Sequence, residues 1–206
     1  LANRITFDFV DEVSRDSPAP GGGSVAALSG ALGAALSTMV ANLSTSKAGF
    51  EDKKEKLAEI SKKGQYTKNE LIKAIDDDTT AFDKVIKAMR MPKDTEKEKE
   101  TRENKMQKGY QSATLVPLKT VEDCRNALQI CFDISEIMDD GMASDVGSGA
   151  LMANAGAISA AYNVRINIKS IKDKKFSNNT EKKLTELLSD CEELLEKISK
   201  NVERCL

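Results

Sequence analysis

The sequence predicts an all-α protein: a single helical domain of long antiparallel helices with a buried pair of small-residue helices. Glycine and proline, which interrupt regular structure, number only 12 and 4 in 206 residues, so turns are few and the elements long. Apolar residues recur at steps of three or four, and no stretch shows the alternation typical of a strand. No change of composition divides the chain, so residues 1–206 are predicted to form one domain.

The chain opens with a short helix, expected to end near Ser14, and a loop of sequence SPAPGGGS that ends at Ser24. The prolines restrict the backbone of this loop, whereas its three consecutive glycines allow the backbone to approach a ligand closely. Ser24 is expected to cap the second helix, which extends to about Ser46.

The second helix carries no charge, since no charged residue lies between Asp16 and Lys47 although 31% of the chain is charged. Small residues repeat along it at steps of four, which lets another backbone come close. Large apolar residues recur with a helical period at Val25, Leu28, Leu32, Leu36, Met39 and Leu43. A membrane span is not expected, because Ala, Gly, Ser, Thr and Asn dominate the stretch and transfer poorly into lipid.

The next two helices are long and charged. One is predicted from Glu51 to Met91, with a candidate break at Gly64. Thr95 is expected to start the other, which continues to about Asp139. Pro117 is expected to kink or divide this helix, because proline lacks the backbone N–H that an interior position needs.

The last two helices are a second small-residue helix and an amphipathic one. Ser144 is expected to cap the former, which extends to about Ser170 and repeats Gly149, Ala153, Ala157 and Ala161 at steps of four. We expect this face to pack against the small residues of the second helix, the alternative being that each of the two helices packs on different leucine-rich helices. The final helix is predicted over residues 178–206, with leucines and a cysteine along one side.

Composition excludes several classes of function. Histidine is absent, which rules out Ser-His-Asp and Cys-His catalysis and histidine-ligated metals. A net charge of −2 gives no reason to expect a nucleic-acid partner. The four cysteines form no CxxC pair and lie in helical stretches, so they are expected to be reduced core residues of a cytoplasmic protein with no metal site.

Five polar residues are candidates for chemistry. Asp78 precedes Phe82 by one helical turn, and an apolar wall beside a carboxyl group raises its pKa towards the range of an acid–base catalyst. Asp145 lies at the start of the second small-residue helix, and the alternative to a chemical role is that its carboxylate caps the helix and complements the helix dipole. Asn163 and Asn167 are four residues apart on one helix face, so both could reach one ligand; the alternative is that they are buried amides with hydrogen-bond partners inside the protein. Lys47, the first charge after the glycine helix, is equally well a surface lysine.

The segments SPAPGGGSVAA, DDDTTAFDKVIKAMRMPK, VPL and SDVGSGALMANAGAISAAYNVRINI together resemble the formiminotetrahydrofolate cyclodeaminase family, in the expected order over nearly the whole chain. The resemblance implies catalytic roles for Asp78, Asp145 and Lys47, with an aspartate carrying the proton and Lys47 holding folate carboxylates. It implies substrate-binding roles for Pro20, Gly21, Gly22, Gly23, Ser24, Phe82, Ser144, Asn163 and Asn167.

The same resemblance implies a dimeric or larger all-helical protein that needs no cofactor beyond its tetrahydrofolate substrate. The implied reaction converts 5-formiminotetrahydrofolate to 5,10-methenyltetrahydrofolate plus ammonia, within one-carbon metabolism and histidine degradation. A separate formiminotransferase is then an expected partner. Two alternatives stay open, a methenyltetrahydrofolate cyclohydrolase and a non-catalytic helical folate-binding or scaffold protein.

Overall fold

The structure, a computed structural model, describes residues 6–206 apart from the side chain of Thr6. This part of the chain contains helices and no strand, so the predicted all-α class is confirmed. The helices are α1 (Thr6–Val13), α2 (Gly22–Thr45), α3 (Lys54–Met89), α4 (Glu96–Ser135), α5 (Ala143–Ile168) and α6 (Lys174–Glu203). Single 3₁₀ turns at Glu51–Lys53 and Asp140–Met142 precede α3 and α5.

Helix α2 is the centre of the domain, because α3, α4 and α5 all pack against it, while α6 packs on α4 and α5. Helices α2 and α5 are antiparallel: Gly22 at the start of α2 lies beside Asn163 near the end of α5. At the opposite end, the Ser44 hydroxyl contacts Met142, just before α5. One hydrophobic core joins all five long helices.

The predicted pairing of the two small-residue helices is confirmed. A Cβ atom built on Gly33 of α2 would lie 2.5 Å from the carbonyl oxygen of Gly149 on α5. One built on Gly156 would lie 2.7 Å from the carbonyl oxygen of Ala26 and 2.9 Å from the amide nitrogen of Gly30. The backbones therefore approach more closely than any side chain at these positions would allow.

Only one side of this helix pair is buried, which differs from the expectation of a fully buried pair. The small residues face the core, whereas many of the large apolar residues face outward on both helices. By length and composition α2 could cross a membrane, but 61% of its most apolar window is buried inside the fold. That burial is typical of a core helix in a globular protein.

Neither of the two expected break points divides its helix. Helix α3 runs through Gly64 without a break. A Cβ at this position would overlap the hydroxyl of Thr38, so the glycine serves the contact between α2 and α3. Helix α4 runs undivided through Pro117. Proline removes the N–H that would bond the carbonyl of Ala113, one turn earlier, and that carbonyl has another donor, described below.

The helix starts also differ in part from expectation. Thr95 caps α4 with a reciprocal bond to Glu98, as predicted. Ser24 and Ser144 are not caps: each lies inside the first turn, because α2 is preceded by Gly21 and α5 by the 3₁₀ turn that ends at Met142. The last helix starts at Lys174, earlier than predicted, behind an Asp173 cap. The N-cap of α2 is Gly21, which has no side chain with which to cap the first amides of the helix.

We predict that Gly156→Ala destabilises the fold although alanine favours helix over glycine by ~1 kcal/mol. The new methyl group must push α2 and α5 apart, and overpacking of this kind costs about 1–3 kcal/mol. Gly109→Ala in α4 is the matched control, since its Cβ would meet Val85 at 3.4 Å, an ordinary contact. Urea unfolding should show a loss for the first variant and none for the second; equal stability would contradict the packing account.

Candidate active site

A cavity of about 170 Å³ lies where the glycine turn, residues 18–23 at the start of α2, meets the three helices α3, α4 and α5. The start of α2, the middle of α3, the end of α5 and one residue of α4 line it. The lining residues are Pro18, Ala19, Gly21, Gly22, Gly23, Asp78, Phe82, Ala113, Asn163, Ile166 and Asn167. One carboxyl group and two primary amides thus converge on a small space with apolar walls, an arrangement typical of small-molecule sites.

Asp78 is held against the start of α2. The hydroxyl of Ser24 lies 3.4 Å from Oδ2 of Asp78 and 3.1 Å from the carbonyl oxygen of Ile75, one turn earlier on α3. Gly23 packs directly on the carboxyl group, and a Cβ at this position would overlap it. The glycine at position 23 is therefore required for Asp78 to occupy its place, independently of any ligand.

Burial raises the pKa of Asp78, because the carboxylate loses hydration in the cavity. Hydrogen bonds from the side chain and backbone of Ser24 stabilise the carboxylate and oppose this effect, but burial is the larger cause. The direction agrees with the prediction from the sequence. The cause is wider than the Phe82 wall considered there, since packing of α2 on α3 contributes to the burial.

Both asparagines lie at the cavity, on the last two turns of α5. Nδ2 of Asn163 donates to the carbonyl of Ser159 at 2.9 Å, which leaves its Oδ1 as an acceptor near Gly22. Nδ2 of Asn167 donates at 2.8 Å to the carbonyl of Ala113. This is the carbonyl that Pro117 leaves without its helical donor, so the proline in α4 creates the acceptor that orients a site residue on α5.

The glycine turn contributes backbone rather than side chains. Gly21 is the N-cap of α2 and offers no side-chain cap, and the amide of Ser24 donates to Asp78, which leaves the amides of Gly22 and Gly23 as candidate donors to a ligand. Gly22 and Gly23 belong to the helix, not to a loop outside it as expected. Pro20, joined to Ala19 by a cis peptide bond, is buried and does not line the cavity.

Three predicted site residues lie at the opposite end of the α2–α5 pair. Lys47 follows the end of α2 and forms an ion pair of 2.6 Å with Asp139. Ser144 and Asp145 are in the first turn of α5. Since α2 has 24 residues, this end is about 36 Å from the cavity. Within one chain these residues do not join Asp78, because antiparallel packing puts the start of α5 beside the end of α2.

Sequence reasoning did not single out Ala113 or Ile166 as lining residues. Ile166 lies between the two predicted asparagines on the same helix, so their spacing could have indicated it. Ala113 could have been found from Pro117, because a proline inside a helix always exposes the carbonyl four residues earlier. The partner that this carbonyl takes depends on how α4 and α5 pack, which the sequence does not state.

We predict that Asp78→Asn changes the pH dependence of stability. A carboxyl group whose pKa is raised by folding keeps its proton longer in the native state, so wild-type stability falls as pH rises from about 3.9, the unfolded value, through the native pKa. Asparagine removes this loss. Relative to wild type, the variant should gain free energy of unfolding between pH 4 and pH 7; a constant difference across this range would contradict the raised pKa.

We also predict that Pro117→Ala loosens Asn167. Alanine restores an N–H that bonds the Ala113 carbonyl within α4 and competes with the asparagine amide. Hydrogen exchange of the Asn167 side-chain amide, followed by NMR, should become faster while thermal stability is kept or raised. Val116→Ala, one position away, is the control and should leave this exchange unchanged. Unaltered exchange in Pro117→Ala would show that Asn167 is held by other contacts.

Comparison with known proteins places this chain in a family. The family model described as formiminotransferase-cyclodeaminase matches residues 6–186. A solved structure from Thermotoga maritima, described as formiminotetrahydrofolate cyclodeaminase, superposes with a TM-score of 0.89 at 27% identity, covering 98% of this chain and 96% of the other.

Two curated relatives differ in extent. A methenyltetrahydrofolate cyclohydrolase of Methylorubrum extorquens is 37% identical over 97% of this chain and 96% of its own length. A formimidoyltransferase-cyclodeaminase of Gallus gallus is 35% identical over 90% of this chain, which spans only 34% of that longer protein. The resemblance stated from the sequence motifs is confirmed, and the chain belongs to the formiminotransferase-cyclodeaminase family.

Proposed function

We propose that this chain is a folate one-carbon enzyme, a cyclodeaminase that converts 5-formiminotetrahydrofolate to 5,10-methenyltetrahydrofolate and ammonia. The observation that carries the proposal is the cavity in which Asp78, with a pKa raised by burial, faces two asparagine amides and the glycine-capped start of α2. The family supports folate chemistry at this site. The choice of reaction depends on what Asp78 can do there.

The reaction needs a proton donor. N10 of the substrate attacks the formimino carbon, and a new C–N bond closes the ring. The former imino nitrogen then becomes an amino group, which leaves as ammonia only after it takes up a proton. A carboxyl group with a raised pKa retains a proton closer to neutral pH and can donate it, a contribution that typically amounts to about 10²–10⁴ in rate. Asp78 is the described residue of the cavity that fits this role.

The other lining groups fit the pterin end of a reduced folate. Its heterocycle carries N–H donors and carbonyl and ring-nitrogen acceptors, which Asn163 and Asn167 can pair with in both senses. The flat faces of the ring can lie against Phe82 and Ile166. The first amides of α2 suit the carbonyl edge of the ring. Glycine at 21, 22 and 23 lets the ring approach this backbone.

A second candidate is methenyltetrahydrofolate cyclohydrolase, the activity named for the Methylorubrum extorquens relative that matches over nearly its whole length. In that reaction water adds to the bridging carbon, and the catalyst must accept a proton rather than donate one. A carboxyl group with a raised pKa is a stronger base once it is ionised, so Asp78 could serve there too. The cyclodeaminase is put first because a raised pKa lets a carboxyl group donate its proton at a higher pH than an ordinary aspartate, which is the role that this reaction needs.

The proposed reaction also implies a metabolic role, a partner enzyme and a location. Ammonia release would place the enzyme in histidine degradation, where a separate formiminotransferase would supply the formimino group. The name of the Gallus gallus relative combines a formimidoyltransferase with a cyclodeaminase, which supports such a partner. The free cysteines agree with a cytoplasmic location. No cofactor besides the folate is invoked, because the proton transfer needs none.

Purified protein incubated with each substrate separates the readings. With 5-formiminotetrahydrofolate, a cyclodeaminase releases ammonia and forms the methenyl chromophore in equal amounts. A cyclohydrolase leaves that substrate unchanged and bleaches the chromophore of methenyltetrahydrofolate. A scaffold protein does neither, and calorimetry with tetrahydrofolate then decides whether it binds folate at all.

We predict that Asp78→Asn lowers kcat by about 10²–10⁴-fold, because asparagine keeps the shape and hydrogen bonding of the site but has no proton to transfer. KM should change less. Asp77→Asn, at the next position but exposed, is the matched control and should retain near wild-type kcat. A variant Asp78→Asn with more than a tenth of wild-type kcat, or a larger loss in Asp77→Asn, would contradict the role of Asp78.

A further inference from the structure

Thr79, which directly follows Asp78 on α3, has a buried hydroxyl group without a partner. Among residues 6–206, which the structure describes, its Oγ1 is the buried side-chain oxygen that lacks a hydrogen bond. Thr79 does not line the cavity, so its hydroxyl is not placed to meet a ligand there. Burying a hydroxyl group without a partner is costly, and this one therefore requires a physical explanation.

Other threonines inside the helices donate to the carbonyl group one turn earlier. In the described part of the chain six of them do so at 2.7–3.2 Å, namely Thr38, Thr45, Thr101, Thr114, Thr120 and Thr185. This bond is the ordinary one for threonine in a helix, because one of its two common χ1 rotamers sets the hydroxyl on the i−4 carbonyl. For Thr79 that carbonyl belongs to Ile75.

The carbonyl group of Ile75 is already occupied. It lies inside α3, where it accepts the backbone N–H of the residue four positions later. The hydroxyl of Ser24, which belongs to α2, lies 3.1 Å from the same oxygen. A carbonyl oxygen has two lone pairs and takes two donors. Ser24 therefore holds the place that Thr79 would take, and the two hydroxyl groups compete for one acceptor.

Ser24 has a second acceptor within reach, the carboxyl group of Asp78. Its hydroxyl lies 3.4 Å from Oδ2, and its backbone N–H also donates to this carboxyl group. A hydroxyl has one proton, so Ser24 donates either to Ile75 or to Asp78. An ionised carboxylate attracts that proton, because charge-assisted hydrogen bonds are roughly twice as strong as neutral ones. A protonated Asp78 donates its own proton to Oγ of Ser24, which then donates to Ile75.

We propose that Thr79 is a positioning residue that acts through Ser24 on the proton of Asp78. When Asp78 is ionised, the Ser24 hydroxyl turns to the carboxylate, and the Thr79 hydroxyl takes the free place on the carbonyl of Ile75. When Asp78 is protonated, Ser24 returns to Ile75 and Thr79 loses its partner. Thr79 is satisfied only in the ionised state and therefore stabilises it.

The coupling adds no proton transfer to the reaction. When Asp78 gives its proton to the leaving nitrogen, the protons of Ser24 and Thr79 stay on their own oxygens and only change acceptors. Thr79 then stabilises the carboxylate that this step leaves behind. The coupling stands on the geometry of α2 and α3, whereas its use in catalysis rests on the proposed function.

Burial and Ser24, rather than a neighbouring charge, control the proton on Asp78. Apart from Asp78 itself, the described residues that line the cavity are uncharged. Helix α1 packs beside Ile75 through Phe9. The charged groups on α3, α1 and α5 nearest to the site are exposed or ion-paired, namely Asp76, Asp77 and Asp83, Asp8, Asp11 and Glu12, and Arg165.

The first test is an NMR titration of the Asp78 carboxyl carbon. Thr79→Val keeps the shape but not the hydroxyl, so the ionised state loses a hydrogen bond. The proton affinity of Asp78 should rise about 3–10-fold, which moves the midpoint up by roughly 0.5–1 on the pH scale. Thr79→Ser should return it near the wild-type value. Thr80→Val, at the exposed next position, is the matched control and should not move it. An unchanged midpoint in Thr79→Val overturns the proposal.

The second test separates hydrogen bonding from the apolar character of valine. Without the Ser24 hydroxyl, Thr79 bonds Ile75 in both states of Asp78, and its link to the proton is lost. In a Ser24→Ala background Thr79→Val should therefore leave the midpoint unchanged, a coupling that the double-mutant cycle measures. An equal rise in both backgrounds overturns the proposal, because valine would then act by packing alone. If Ser24→Ala does not fold, the comparison of Thr79→Val with Thr79→Ser decides.

The third test is the pH profile of kcat with 5-formiminotetrahydrofolate. A proton donor loses activity as pH rises through its pKa. Thr79→Val should move this loss to higher pH by the same amount as the NMR midpoint, with KM nearly unchanged and Thr79→Ser close to wild type. A profile that stays in place while the midpoint moves contradicts the proposed role of Asp78 as donor and leaves the coupling standing. An active protein whose midpoint ignores Thr79→Val overturns the coupling and leaves the proposed function standing.

Discussion

The rest of the structure depends on one constraint: helix α2 contacts its neighbours at glycine positions that leave no room for a Cβ atom. Gly23 meets the carboxyl group of Asp78, Gly33 meets the backbone of α5, and Gly64 of α3 meets Thr38. Each contact brings two backbones nearer than alanine would permit. The glycines are therefore required first for helix packing, and this packing in turn forms the site at the start of α2.

The same contacts connect stability with chemistry. Asp78 is half-buried because α2 approaches α3 closely, and that partial burial gives its carboxyl group a raised pKa. The cost of holding a carboxylate in this environment is a loss of stability at neutral pH, which active sites commonly carry. Pro117 has a similar effect: it leaves the carbonyl of Ala113 without a donor inside α4, and this carbonyl accepts the hydrogen bond that orients Asn167 on α5. Local defects in two helices thus fix two functional side chains.

Much of the fold could be predicted from the sequence. Periodicity and the rarity of glycine and proline indicated the long helices, and the two small-residue repeats indicated that α2 and α5 pack together. Local rules failed where tertiary contacts compensate: Pro117 does not divide α4 and Ser24 does not cap α2. The site residues predicted from the sequence also fall into two groups in the structure. The glycine turn, Asp78, Asn163 and Asn167 converge, whereas Lys47 and Asp145 lie at the far end, because direction along a helix pair cannot be read from motif order.

The central claim is that packing of α2 on α3 keeps a proton on Asp78 at a pH where an ordinary aspartate has lost it. The most direct measurement is an NMR titration of the carboxyl carbon of Asp78 in the folded, ligand-free protein, assigned by its absence from Asp78→Asn. The account predicts a midpoint clearly above about 3.9, the value for an unperturbed aspartate. A midpoint at or below that value would contradict it, because Asp78 would then be an ordinary carboxylate held by Ser24.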